Sequence, residues 1–310
     1  MKNNDNISDK EIDLKQMFAI LWNSKIYLFS IITIFTIAAL VYSLYLPNIY
    51  KSTALLSPVG EQSSIGSSSR SLGGIASLAG INLSPDVNGS NAVKALDKLN
   101  SLSFFTDNIL PNIYLPDLMA VKSWNAVTNT VVYDNKLYNH TTQTWVRDFK
   151  YPQTQIPSAQ ESFVIFINEH LSVSEDQDTF FVTISVKHQS PFVAQAWTKL
   201  IVKELNNFFR VKDKAEAQGA VDYLNTQIAQ TSFTEVKLAI AELLQQKTQQ
   251  LSLIEVSDFY VFDYIDPPVA MAKTHEPNRA VILIIGIFLG SMFGIFIVLI
   301  RYYFFNKQSY

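Results

Sequence analysis

Two apolar runs, Ile26 to Leu46 and Ala280 to Ile300, each continue for 21 residues without a Lys, Arg, Asp or Glu. At about 1.5 Å per residue each predicts a helix of roughly 30 Å, the thickness of a bilayer's hydrocarbon core. The stretch between them is mostly polar, and its periodicity changes repeatedly. Tyr50 to Leu56 is a short β-type run ending at Ser57-Pro58, and Gly60 to Gly74 is a Ser/Gly-rich segment that reads as a loop. Val93, Leu96, Leu99, Leu102 and Phe105 recur at three-residue steps and predict a helix over Ala92 to Leu110. Leu171 to Ser174 and Thr179 to Lys187 read as strands around the turn Glu175-Asp176-Gln177-Asp178, the second alternating Phe180, Val182, Ile184 and Val186 with polar positions. That acidic turn reads as a solvated hairpin tip rather than a cation site.

Ser190-Pro191 has the form of a helix start, a capping hydroxyl followed by proline at the first helical position. The apolar face runs through Val193, Trp197, Leu200, Ile201, Leu205, Phe208, Val211, Ala215, Leu224 and Ile228, with no stop before Thr231. Gly219 costs this helix about 1 kcal/mol relative to Ala. Ser232-Phe233-Thr234-Glu235 is a capping-box sequence, predicting a second helix whose face is Val236, Ile240, Leu243, Leu244, Lys247, Leu251 and Ile254. Helices of roughly 40 and 24 residues, about 60 and 36 Å, pair along only part of the longer one. Its surplus turns, near Trp197 and Leu200, are expected to pack on the strands. Tyr260 to Asp266 returns as a strand. The Asn, Thr and Tyr content of Pro111 to Gln160 suggests hairpins and loops, with Trp124 and Trp145 in core or edge packing.

The fold class is therefore α+β: two transmembrane helices flank a domain with an α/β base and a long extended helical hairpin. Lys2, Lys10, Lys15 and Lys25 precede the first run, and Arg301 and Lys307 follow the second. By the positive-inside rule both tails are cytoplasmic. The expected divisions are a tail at 1–25, a span at 26–46, an exoplasmic domain at 47–279, a span at 280–300 and a tail at 301–310. The first span is too long for a signal-peptide core and lacks a small-residue cleavage site, so it stays as an anchor.

The chain carries 24 basic and 27 acidic side chains, and its excess of acid argues against a nucleic-acid partner. It has no cysteine, hence no disulfide framework and no thiolate metal site. No phosphate-binding loop, nucleophile elbow or H-E-x-x-H motif occurs, and no cofactor or catalytic residue is expected. The histidines at 140, 170, 188 and 275 have no ligand spacing and read as surface or satisfied core residues. Two other groups stand out. Pro267, Pro268, Pro277 and Arg279 form a proline-bearing connector that fixes the angle between base and anchor. Gly286, Gly290 and Gly294 line one face of the second span and permit close approach of another helix.

Several short motifs in fixed order carry a family resemblance. They are Tyr50 to Pro58, Gly73-Gly74-Ile75-Ala76-Ser77-Leu78-Ala79-Gly80, Ser190-Pro191 with Ala194 to Trp197, and Thr231 to Glu235. Tyr260-Val261-Phe262 with Ile265-Asp266-Pro267, then Pro277-Asn278-Arg279-Ala280 and the three span glycines, complete the set. In this order and position the chain resembles the Wzz-type chain-length determinants, class 1 polysaccharide co-polymerases. The resemblance implies a non-catalytic inner-membrane protein whose main domain faces the periplasm. It also implies a homo-oligomer above a dimer, arranged as a ring, that sets the modal length of lipopolysaccharide O-antigen. The partner it implies is a membrane O-antigen polymerase joining undecaprenyl-linked glycan repeats, with that glycan as a further partner. The chain departs from the family pattern near Met271, where a middle proline is common, and at Glu276 and Asn278, where Ser and Lys are common. A different reading is a membrane adaptor for exopolysaccharide or capsule export beside a separate tyrosine kinase. A two-span sensory receptor fits less well, since no signalling helix follows Arg301.

Overall fold

The computed structural model describes residues 21–59, 91–256 and 259–305. The Ser/Gly-rich segment lies outside the described residues. The chain divides into two compact units, Met1–Asn48 with His275–Tyr310, and Ile49–Thr274. The first holds helices α1 (Lys25–Tyr45) and α8 (Arg279–Phe305), both long and apolar enough to cross a membrane.

The second unit is built on a four-stranded antiparallel sheet in the order β6-β7-β1-β8, from β1 (Tyr50–Pro58), β6 (Leu171–Glu175), β7 (Val182–His188) and β8 (Phe262–Asp266). β1 is central, pairing Ala54 with Ile184 on one side and Leu56 with Tyr264 on the other. Alternation decides its faces: Ser52, Ala54, Leu56 and Pro58 are buried, as are Val182, Ile184 and Val186 of β7. Across this face lies the first half of α6 (Pro191–Gln230), which buries Trp197, Ile201, Val202, Leu205 and Phe209. Ser190 caps α6 as expected, its side chain accepting from Val193 N–H. The surplus turns of the long helix thus pack on the strands.

The helix expected over Ala92 to Leu110 is interrupted. α2 (Asn91–Leu99) ends, and Ser101 caps a new start, α3 (Leu102–Phe104), which continues as a π turn, Phe105–Ile109, and a 3₁₀ turn, Leu110–Asn112. The wider turn brings Phe105 onto Phe163 and Phe166, with ring centroids 5.6 and 5.1 Å apart. A second π turn, Phe166–His170, follows α5 (Ala159–Ile165) and leads into β6. Three-residue steps cannot reveal such a change of pitch.

Hairpins do fill the region of Pro111 to Gln160. After α4 (Leu115–Met119) come β2 (Val121–Asn125) with β3 (Thr130–Tyr133), then β4 (Tyr138–Asn139) with β5 (Thr144–Trp145). Their loops follow one plan. Asn125 Oδ1 accepts from the Val127 and Thr128 N–H groups, and Asn139 Oδ1 from Thr141 and Thr142. Each loop then has a left-handed residue, Asn129 at φ 50° and Gln143 at φ 53°. The β6–β7 turn repeats the plan, with Asp176 Oδ1 holding the Asp178 and Thr179 N–H groups and Phe180 at φ 57°. Its acid therefore closes its own turn. Trp124 packs against Tyr50 and Phe192, and Trp145 against Tyr138.

Beyond Phe209 the long helix changes partner. α6 and α7 (Thr234–Val256) form a hairpin, in which Ala217 and Ile254 are buried. Val211 and Ala215, expected on the apolar face, are exposed instead, because α7 lies on the side of Ala217 and Leu224. On α7, Ile240, Leu244, Lys247, Leu251 and Ile254 are turned inward as expected, while Val236 and Leu243 are exposed. The capping box does not form: α7 starts at Thr234, with Lys237 N–H bonded to the Phe233 carbonyl.

Two buried polar residues fasten this unit. Asn206 interrupts the apolar face of α6 and is 6 % exposed. Its Oδ1 accepts from the N–H groups of Tyr260, Val261 and Phe262, and its Nδ2 donates to the Phe262 carbonyl. One side chain thereby satisfies the start of β8. His188 ends the buried face of β7. Its Nδ1 accepts from Ser190 N–H at 2.9 Å, so its Nε2–H donates to the Asp117 carbonyl, also at 2.9 Å. Burial pushes this imidazole down to about 4 from 6.5. Above pH 6.5 neither folded nor unfolded chain holds a proton there. Between 6.5 and 4 the unfolded chain binds one that the folded chain refuses, so stability falls with acidification, by about 3 kcal/mol at 1.36 kcal/mol per unit. The stability gap between wild type and His188→Gln, measured by urea denaturation, is expected to shrink by most of that amount from pH 7 to 4. A gap constant across that range contradicts the assignment.

Candidate functional site

The first unit brings the predicted glycines into contact, but with the chain's own first helix. α1 and α8 pack along their length in antiparallel order. A Cβ placed on Gly286 would lie 2.5 Å from Ala39 Cβ, one on Gly290 2.9 Å from Phe35 Cβ and 3.1 Å from Ile32 Cα, and one on Gly294 3.2 Å from Leu28 Cδ1. Neither an oligomer nor a polymerase needs to supply the facing helix. A tethered helix has the advantage of high effective concentration over a separate one. Phe35 also stacks on Phe293, with ring centroids 5.5 Å apart.

Polar contacts close both ends of the pair. Arg279 Nη2 donates to Asn48 Oδ1 at 3.1 Å. At the other end the Arg301 guanidinium lies 4.1 Å from the centroid of the Tyr27 ring, a cation–π contact. Between them the hydroxyls of Ser30, Thr33, Thr36 and Ser291 each donate to the carbonyl four residues earlier, so they ask nothing of their surroundings. Ser43 is buried, and its hydroxyl has no partner among the described residues. Asn278 Oδ1 accepts from Val281 N–H, an N-cap contact at the start of α8.

The connector residues are divided between the two units. Pro267 and Pro268 belong to the second unit, where Gln195 Nε2 donates to the Pro268 carbonyl and Ser52 Oγ to the Val269 carbonyl. The chain leaving β8 is thus held to α6 and β1. Pro277 and Arg279 belong to the first unit, and Arg279 serves the contact with Asn48. Among the described residues no cluster of three His, Asp or Glu side chains is placed to hold a metal ion. The residues that sequence reasoning passed over are Asn206 and the Tyr27–Arg301 pair, whereas His188 is a satisfied core histidine as expected. Asn206 was signalled by a polar residue inside an apolar period; the pair lacks a local signal.

The contacts rank the glycines. Gly286 faces another Cβ at a distance that no real pair adopts, Gly290 faces a Cβ and backbone, and Gly294 meets the flexible end of a leucine. In thermal unfolding of the full chain in detergent, alanine is therefore expected to destabilise most at 286, less at 290 and least at 294. Gly290→Leu should exceed Gly290→Ala, with losses on the order of 1–3 kcal/mol for overpacking. Equal effects at all three positions would show that the stripe is not a contact.

Residues 10–97, which include α1 and β1, match the family described as Wzz: Chain length determinant protein. None of the curated proteins matches. Among solved structures, a "full-length bacterial polysaccharide co-polymerase" overlays at a TM-score of 0.40 and 16 % identity, covering 96 % of this chain and 100 % of that one. A "Fragment of WzzB, Polysaccharide Co-polymerase from Salmonella Typhimurium" overlays at 0.29 and 11 % identity, covering 74 % and 100 %. Neither overlay is close enough to add to the argument. Over residues 10–97 the chain is thus similar to the Wzz-type chain-length determinants.

Proposed function

We propose that this protein crosses a bacterial inner membrane twice, at 26–46 and 280–300, with residues 47–279 in the periplasm and both tails in the cytoplasm. It acts without chemistry of its own, as a co-polymerase that regulates the modal chain length of lipopolysaccharide O-antigen made by a partner membrane polymerase. The observation that carries this reading is the family match over residues 10–97. The paired apolar helices support it, since each has the length of a bilayer core and leaves most of its surface uncovered. The basic residues flanking both runs support the orientation.

Assembly into a homo-oligomer above a dimer, closed as a ring, is part of the same proposal. The helical hairpin leaves Phe233, Leu238 and Leu253 at 72, 67 and 67 % exposure, more apolar surface than a slender hairpin covers by itself. Neighbouring copies side by side would cover it, and a head-to-tail contact that closes gives a ring. Pro267, Pro268, Pro277 and Arg279 act in this scheme as the rigid link between domain and anchor.

The test is the surface glycan of a strain lacking this chain. The O-antigen ladder is expected to lose its modal cluster and to regain it on complementation. An unchanged ladder with a lost capsule or exopolysaccharide would replace this reading with the kinase-linked adaptor. Reporter fusions at Asn3 and Gln308 should read cytoplasmic and one at Ser68 exoplasmic; a cytoplasmic signal at Ser68 contradicts the orientation.

A further inference from the structure

The second unit carries a half-open cleft of about 210 Å³ that the reading above leaves unused. It lies where α4, the π turn after α5 and the end of β7 meet. One wall is hydrocarbon, from Leu118, Met119, Val121 and Ile165. The other is polar, and its hydrogen-bonding capacity is one-sided. His188 spends its N–H on the Asp117 carbonyl, and His170 Nδ1 lies 2.7 Å from the Lys187 carbonyl. Acceptors are in surplus. Gln189 Oε1 is buried without a partner among the described residues. Asp117 uses one carboxylate oxygen for the Tyr133 hydroxyl at 2.6 Å, leaving acceptor capacity on the group. Glu169 adds a second, exposed carboxylate, and Lys187 is the one lysine lining the cleft. Desolvation raises Asp117 above its ordinary 3.8, which is the mark of a partly buried charge not fully compensated.

We propose that this cleft binds a primary ammonium group carried on a short hydrocarbon stem. The ammonium donates to Gln189 Oε1 and to the carboxylates of Asp117 and Glu169, while the stem lies along Leu118, Met119, Val121 and Ile165. An ammonium has three donors and no acceptor, the complement of this wall. An anion would face two carboxylates. A metal ion lacks a clustered set of ligands among the described residues. At about 30 Å³ per water the cleft has room for roughly seven waters, enough for an amine of about five or six heavy atoms.

The probe is n-butylammonium, with 1-butanol and butyrate as controls sharing the four-carbon stem. Saturation-transfer NMR is observed on the small molecule near neutral pH, with the full-length chain in non-ionic detergent and empty micelles as background. Saturable transfer in the millimolar range is expected for the amine alone. Gln189→Leu should weaken it about tenfold, the worth of a hydrogen bond to a charged group. Glu169→Gln changes an exposed side chain, leaves the fold undisturbed and should weaken binding a few-fold, whereas Gln189→Glu should tighten it. Equal binding of 1-butanol would reduce the cleft to an apolar surface and overturn the proposal. So would an amine affinity unchanged by Glu169→Gln and Gln189→Glu, or no saturable signal at tens of millimolar, in which case water alone satisfies Gln189. None of these outcomes bears on the glycan ladder, so this proposal and the chain-length reading fail separately.

Discussion

Two apolar helices surrounded by hydrocarbon gain nothing from hydrophobic burial against each other, so their pairing depends on how closely their surfaces approach. Here that approach is set by Gly286 and Gly290, which admit Ala39, Phe35 and the backbone of Ile32 where any larger residue would collide. The polar contacts at the two ends, Asn48 with Arg279 and Tyr27 with Arg301, fix the register of the pair. Because the glycine face is spent within the chain, contacts with other proteins fall to the remaining surface. That surface is rich in large apolar side chains, among them Ile26, Ile34, Phe288 and Phe296.

The second unit shows a gradient of burial with a functional sense. Its base is tightly closed: β1 is paired on both edges, the first half of α6 covers the sheet, and Asn206 and His188 tie in β8 and α4 with no hydrogen-bonding atom wasted. The hairpin beyond Phe209 has Ala217 and Ile254 as its buried apolar residues. A helix of 23 residues with so little covered surface draws little stability from its own chain, since helices in proteins are held chiefly by the packing of an apolar face. Such an element is poised to gain its packing from a neighbour, as the proposed side-by-side assembly would provide.

The parts legible in the sequence were those governed by long, regular periods. Twenty-one uncharged residues, a face repeating over many turns of α6, and strict alternation in β7 each specify an element without help from distant residues. The illegible parts depend on tertiary partners. Phe105 widens its helix into a π turn to reach Phe163 and Phe166, which no three-residue spacing announces. Val211 and Ala215 satisfied the period yet stayed exposed, because the register of α7 selects which side of α6 is covered. Ser232 had the right neighbours for a capping box but the helix began beyond it. At the site, glycine spacing revealed a contact face and not its occupant, and the proline connector, contiguous in sequence, is divided between two units.

The central claim is that α1 and α8 of one chain meet along the glycine face. The absence of native cysteine allows a direct measurement. Leu28→Cys and Gly294→Cys, introduced together, should form a disulfide within one chain under mild oxidation in membranes, since Leu28 lies across from Gly294. A control pair with Ile26→Cys, on an exposed face of α1, should not. Rapid cross-linking that leaves the protein at monomer mass is the predicted result. Cross-linking only between chains, or equal yields for both pairs, would contradict the account.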